Sequence, residues 1–207
     1  MSAPADSPPA PTLLANPLEL FARWFDEAVA ANLAEPEAMV LATATADGHP
    51  SARVVLCRGI SATGLRFFTN RDSRKGHELS ANPNAAAVFF WQPLGRQVRF
   101  EGRIEVLSPA EDDAYFAARP RGHQLAALAS PQSQPIATAA LLARYEELQH
   151  RHESGPVPRP PHWGGYRLIP HMVEFWTKRD NRLHDRSVYR RAGTEPAAPW
   201  VTETLAP

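Results

Sequence analysis

Apolar positions along this chain change period several times, and each change marks an element. Phe21, Trp24, Phe25, Ala28 and Val29 recur at helical spacing and give one apolar face. Asn16-Pro17-Leu18-Glu19 opens that helix: Asn16 suits the N-cap, Pro17 the first helical position, and Glu19 completes a capping-box pattern. From Met39 to Thr45 the chain reads as a strand, and Asp47-Gly48 is a hairpin turn into a second strand, Ser51 to Arg58. Thr63-Gly64 turns it into a third, Leu65 to Thr69. A helix capped by Asp72 or Ser73 runs to about Ala81 and stops at Asn82-Pro83. Ala85 to Gln92 is an apolar strand. Arg96 to Leu107 alternates most clearly, with Val98, Phe100, Ile104 and Val106 on one face.

Ser108-Pro109-Ala110-Glu111 is a second capping box. The short helix it opens places Tyr115 and Arg119 on one face, and Pro120 ends it. His123 to Ala129 adds a turn or two of helix, and residues 130–135 form a polar loop. Leu141, Leu142, Tyr145 and Leu148 mark a further amphipathic helix. A proline-rich connector, 151–162, leads to Trp163-Gly164-Gly165 and two strands around Pro170, ending at Phe175-Trp176. Trp200 to Leu205 makes a last short strand. Residues 1–15, rich in Pro and Ala, read as a disordered tail before a single domain, 16–207. Six to eight strands with antiparallel-style turns, helices grouped between them and no βαβ alternation predict a mainly β, α+β fold. An antiparallel split or closed barrel with packed helices fits best.

Composition narrows the function. Lys+Arg and Asp+Glu both number 22 in 207 residues, so the net charge is zero. A general nucleic-acid or membrane-surface binder would carry a basic excess, so the cations here act locally. The single cysteine, Cys57, excludes an intrachain disulfide and suits a cytoplasmic setting. The longest apolar run, Ala85 to Trp91, is far short of the ~20 residues that span a bilayer. There is no zinc-type spacing, GxGxxG, Walker A or GxSxG, and no metal site is expected.

Three cationic stretches stand out. In Arg182-Leu183-His184-Asp185-Arg186, an extended backbone would put Arg182, His184 and Arg186 on one face, suited to an anionic, planar ligand. Arg74 and Lys75 fall in the first turn of their helix, where the dipole disfavours cations; a bound phosphate would resolve the conflict. Arg53 and Arg58 are five apart, so alternation puts them on opposite faces of their strand, with Cys57 a packed small hydrophobe between them.

Together these segments resemble the pyridoxine/pyridoxamine 5′-phosphate oxidase family. The resemblance rests on Arg53-Val54-Val55-Leu56-Cys57-Arg58, Phe68-Thr69-Asn70, Ser73-Arg74-Lys75-Gly76, Arg96-Gln97-Val98, Tyr115-Phe116 with Arg119-Pro120-Arg121, Gln132-Ser133, Pro160 to Tyr166, Glu174-Phe175-Trp176 and Arg182 to Arg186, in order. It implies a split-barrel homodimer with FMN at the subunit interface. It also implies O₂-dependent oxidation of pyridoxine or pyridoxamine 5′-phosphate to pyridoxal 5′-phosphate, with H₂O₂ as by-product. Carried onto this chain, FMN would contact the run Arg53, Val54, Val55, Leu56, Cys57 and Arg58, then Phe68, Thr69, Arg74, Lys75 and Gln97. Gln132, Ser133, Trp176 and Arg186 would contact it too, some from the second subunit. Arg58, Tyr115, Arg119 and His123 would hold the substrate phosphate, and Arg182 and His184 would cover the pyridine ring as catalytic groups. The family usually has Lys at Arg58, Ser at His123, Trp at Leu128 and Arg before Leu205. The alternatives are a related FMN oxidase of the phenazine-biosynthesis type and a non-catalytic flavin- or pyridoxal-phosphate-binding protein.

Overall fold

The computed structural model describes residues 13–207 apart from Thr194 and Pro196. Most of the tail expected over 1–15 lies outside the described residues; Leu14, within them, packs against the main core. Helix α1 (Pro17–Ala30) starts at the expected Asn16 N-cap, whose side chain accepts from the Leu18 N–H; the expected box with Glu19 is not formed. Strands β1 (Ala38–Ala44), β2 (Pro50–Leu56), β3 (Gly59–Ser61) and β4 (Gly64–Asn70) follow. Helix α2 (Arg74–Ala81) is capped by Ser73, whose hydroxyl accepts from the Gly76 N–H. Then come β5 (Asn84–Trp91) and β6 (Arg96–Val106). Helix α3 (Pro109–Ala118) opens on the full Ser108/Glu111 capping box. Helices α4 (Arg121–Ala129) and α5 (Thr138–Arg151) and strands β7 (Trp163–Thr177), β8 (Asp185–Arg191) and β9 (Trp200–Thr204) complete the chain.

Among the described residues, nine strands form one sheet in the order β2-β1-β5-β6-β7-β4-β3, with β8 joining β7 beyond the end of β4 and β9 pairing β8. Every pairing is antiparallel. The sheet curls: one core joins α1 to residues of β1, β4, β5, β6, β7 and β8, which a flat sheet could not bring together. Phe21 sits at its centre, its ring 4.8 Å from those of Phe89 and Phe100, and Trp24 meets Phe175 edge-on. A smaller core, built by Phe116, Leu125, Leu148 and Trp163, seats α3, α4 and α5 against β7. No described helix is long and apolar enough to cross a membrane.

Three expectations change. Pro170 does not separate two strands; it lies within one strand of 15 residues. The β6–β7 register slips there: Glu101 pairs with Met172 and Gly102 with Pro170, leaving His171 as the extra residue of a bulge. A Cβ on Gly102 would stand 2.2 Å from the Ile169 carbonyl oxygen, so only glycine allows the approach. Val106 is exposed rather than on the core face, three residues beyond Arg103, opposite which β5 begins. The second strand stops at Leu56, which matters for the site below.

Candidate active site

A cavity of about 910 Å³ opens where β2, the end of β4, the start of α2, and α3–α4 converge. Its basic floor starts at Lys75, buried although it carries a charge. The Lys75 ammonium donates to Thr69 Oγ1 at 3.0 Å, Ser73 Oγ at 3.2 Å and Gln132 Oε1 at 3.3 Å, all neutral acceptors. Burial, with the Arg53 guanidinium nearby, lowers its pKa to about 8 against the weaker pull of Glu78. Arg74, one residue earlier, donates its backbone N–H to Ser133 Oγ and its Nε to Glu78 Oε1. Ser133 is held at φ 73°, a left-handed conformation that costs a non-glycine residue about 1 kcal/mol or more. The loop before α2 folds tightly onto the helix because residue 76 is glycine: a Cβ there would stand 2.0 Å from the Arg71 carbonyl oxygen. Arg53 donates to Thr43 Oγ1 at 2.5 Å, to the Leu41 carbonyl at 3.2 Å, to Ser51 Oγ and to Glu78 Oε2.

The opposite wall is aromatic. The Phe68 and Tyr115 rings stack at 3.8 Å and 10°, and Trp163 lies nearly parallel to both. Gly165 makes room for the stack, since a Cβ would stand 2.7 Å from the Phe68 ring. Arg119 lies over Trp163, its guanidinium carbon 4.7 Å from the ring centroid. Its Nη1 is buried without a hydrogen-bond partner, and burial pushes its pKa down. Arg58, tethered to Glu37 at 3.3 Å, and His123 line the same cavity as Arg119 and Tyr115.

Of the run 53–58, all but Cys57 line this cavity. Cys57 is buried in the main core, its Sγ 3.6 Å from the Gly59 carbonyl, and burial raises its pKa. Arg53 and Arg58 face one cavity, contrary to strict alternation. The reason is that β2 ends at Leu56 and Arg58 belongs to the turn beyond, its N–H on the Arg66 carbonyl.

Trp176, Arg182 and His184 line a separate cavity of about 530 Å³. The shared extended face predicted for 182–186 is not formed. Asp180–Arg182 is a 3-10 turn with Asn181 at φ 52° and Arg182 at φ 62°, and β8 begins only at Asp185. The His184 Nδ1 accepts from the Arg179 N–H at 3.0 Å, which puts a neutral ring's proton on Nε2. Its ring is 4.5 Å from that of Trp176. Arg186 turns to Glu174 Oε1 at 2.8 Å and the Ala206 carbonyl at 3.0 Å, and lines neither cavity. Gln97 lines neither, but it pairs with Phe90 and Trp176 in one row across β5, β6 and β7. That row continues an exposed apolar strip on the outer face: Phe90 is 57% exposed, and Val40 and Val54, paired across β1–β2, are 42% and 65%.

Sequence reasoning did not single out Trp163 or Glu78. Trp163 entered only as the lead into a strand and as part of the Pro160 to Tyr166 stretch, with no site role. Glu78 carried one signal, its i+4 spacing from Arg74. Chemically, the Arg53–Arg74–Lys75 floor at a helix N-terminus suits a phosphate dianion. Arg58, Arg119 and His123 supply a second set of anion donors, and the aromatic stack a surface for flat rings.

Known proteins are similar to this chain in sequence and fold. Residues 25–150 match the family model described as pyridoxamine 5′-phosphate oxidase, and residues 163–207 match the pyridoxine 5′-phosphate oxidase C-terminal dimerisation region. A pyridoxine/pyridoxamine 5′-phosphate oxidase of Bordetella petrii is 53% identical over 193 residues, 93% of this chain and 90% of that protein. One of Acaryochloris marina is 50% identical over 194 residues, 93% of this chain and 87% of its own. Among solved structures, PhzG of Burkholderia lata in complex with tetrahydrophenazine-1-carboxylic acid superposes with a TM-score of 0.88, at 36% identity over 95% of each chain. The chain belongs to the pyridoxine/pyridoxamine 5′-phosphate oxidase family.

Proposed function

We propose that this protein oxidises pyridoxine 5′-phosphate and pyridoxamine 5′-phosphate to pyridoxal 5′-phosphate, with FMN as cofactor and O₂ as acceptor. The observation that carries the reading is one cavity lined by two sets of cations and an aromatic wall, in a chain 50–55% identical to oxidases of that name. The likeness to the phenazine-complexed protein is weaker, at 36%. FMN, when bound, supplies a two-electron acceptor that O₂ can reoxidise, yielding H₂O₂.

The protein's own residues bind and orient. Arg53, Arg74, Lys75 and Ser133 hold the cofactor phosphate, with Val54, Val55, Leu56, Phe68, Thr69 and Gln132 around the rest of it. Cys57 supports that run from the core side. Arg58, Tyr115, Arg119 and His123 take the substrate phosphate; the partnerless Arg119 Nη1 is a buried donor that an anion would satisfy. Arg182 and His184 orient the pyridine ring, and His184 serves through its Nε2–H as a donor rather than as a base.

Trp176, Arg182 and His184 lie in a different cavity of the same chain from the phosphate floor. The reading therefore uses a homodimer, in which one protomer's Gln97, Trp176, Arg182, His184 and Arg186 complete the other's site. The matched dimerisation region and the exposed strip through Val40, Val54 and Phe90 support it. Residues 16–207 act as one domain in this account, and the single buried cysteine suits the cytoplasm.

The test is direct. The FMN-loaded protein is given pyridoxine 5′-phosphate in air, and aldehyde absorbance and H₂O₂ are followed. Equal rates of both products are expected. No turnover at full FMN occupancy would refute the assignment.

A further inference from the structure

A carboxylate buried beneath an anion site runs against simple charge complementarity, and Glu78 is such a group. It is 5% exposed, on α2 one turn past Arg74, and it does not line the cavity. Its two oxygens have separate duties. Oε1 accepts from Arg74 Nε at 2.8 Å. Oε2 accepts from Ser51 Oγ at 2.7 Å, from Arg53 Nη2 at 3.2 Å and from Thr43 Oγ1. The donors come from β1, β2 and α2, so one carboxylate ties the helix to the hairpin.

The arrangement decides which way the arginines face. The Arg74 side chain is 64% exposed and would otherwise sample many rotamers in water. Glu78 takes its Nε edge and leaves the two terminal nitrogens for the cavity that Arg74 lines. Arg53 is gripped by Thr43, Ser51, Leu41 and Glu78 together, so its plane is fixed before any ligand arrives.

We propose that Glu78 is a positioning residue for the cofactor phosphate, holding Arg53 and Arg74 in the orientation that receives it without touching it. This rests on the reading above that these arginines bind the FMN phosphate. Burial pulls the Glu78 pKa up, but the donors from Thr43, Ser51, Arg74 and Arg53 outweigh it and hold the value at about 2. The carboxylate is therefore charged throughout the working range.

Charge counting and positioning predict opposite signs. Removing a negative charge beneath a phosphate should tighten binding if only net charge matters. If Glu78 orients the donors, its removal weakens binding. The measurement is the ratio of riboflavin to FMN dissociation constants on the full chain stripped of flavin, read by flavin fluorescence. Riboflavin lacks the phosphate, so the ratio isolates the phosphate contribution. Glu78→Gln should lower that ratio about tenfold, the loss of roughly one charge-assisted hydrogen bond, with riboflavin affinity unchanged. Thr43→Val, a near-isosteric change outside the cavity, should lower it about threefold by loosening both Glu78 and Arg53. An unchanged or higher ratio in folded Glu78→Gln overturns the proposal. If that variant does not fold, an unchanged ratio in Thr43→Val overturns it instead. A wild-type protein that binds FMN no more tightly than riboflavin would have no phosphate subsite, which overturns the cofactor reading itself.

Discussion

Lys75 should make cofactor affinity pH-dependent in a range where the flavin phosphate no longer titrates. Its pKa is lowered from 10.5 to about 8, chiefly by burial. The drop, 10.5 − 8, corresponds to about 3 kcal/mol against the charged form. In the ligand-free protein the sign follows from proton counts. Between pH 8 and 10.5 the unfolded chain keeps a proton that the folded chain has lost, so this group's contribution to stability rises with pH through that window. A phosphate dianion reverses the preference, because it favours the ammonium. Binding above pH 8 must then take up a proton. If the phosphate restores the ordinary pKa, affinity at pH 9 falls about tenfold below its value at pH 7.

The assay is a flavin titration of the stripped protein across this range, with riboflavin in parallel. FMN affinity should be flat to pH 8 and then fall, while riboflavin affinity does not follow it. Lys75→Met should abolish the difference in slope and lower FMN affinity at pH 7. Calorimetry at pH 8.5 should show buffer-dependent heats from proton uptake. Parallel FMN and riboflavin profiles in the wild type would refute the argument, since they would mean that Lys75 does not feel the phosphate.

Two further predictions test other parts of the site. Arg119→Met keeps an unbranched apolar stem but removes the guanidinium over Trp163 with its buried, partnerless Nη1. It should raise KM for pyridoxine 5′-phosphate about tenfold or more while leaving the melting temperature unchanged or higher; a lowered melting temperature with normal KM would make Arg119 structural. Val40→Glu places a charge on the exposed strip without touching either cavity. Light scattering should show loss of dimer and, with it, loss of retained FMN; a dimer of unchanged strength would exclude this face from the interface.

Local signals were legible where the physics is local. The Ser108/Glu111 box, the Asn16 and Ser73 caps and the alternation through Val98 and Phe100 all act within a few residues, and all appear where the sequence put them. The conflict of Arg74 and Lys75 with the helix dipole pointed to the cationic floor of the larger cavity for the same reason. The failures lie where a local rule met a tertiary limit. Alternation separated Arg53 from Arg58, but the strand ends between them at Leu56. An extended Arg182-Leu183-His184 lost to a 3-10 turn with left-handed Asn181 and Arg182. Pro170 read as a break because a bulge needs a partner strand to absorb it.

By itself, the sequence determined most of the elements, though not β3 or β8, the antiparallel class and, through the ordered motifs, the family, since caps, periods and turn residues need no distant partner. The tertiary structure alone decided which cations share a cavity, that Trp163 lies under Arg119, and that Glu78 ties Arg53 to Arg74. Those contacts join residues on different elements. Their geometry depends on how the sheet curls and the helices dock, which no local pattern encodes.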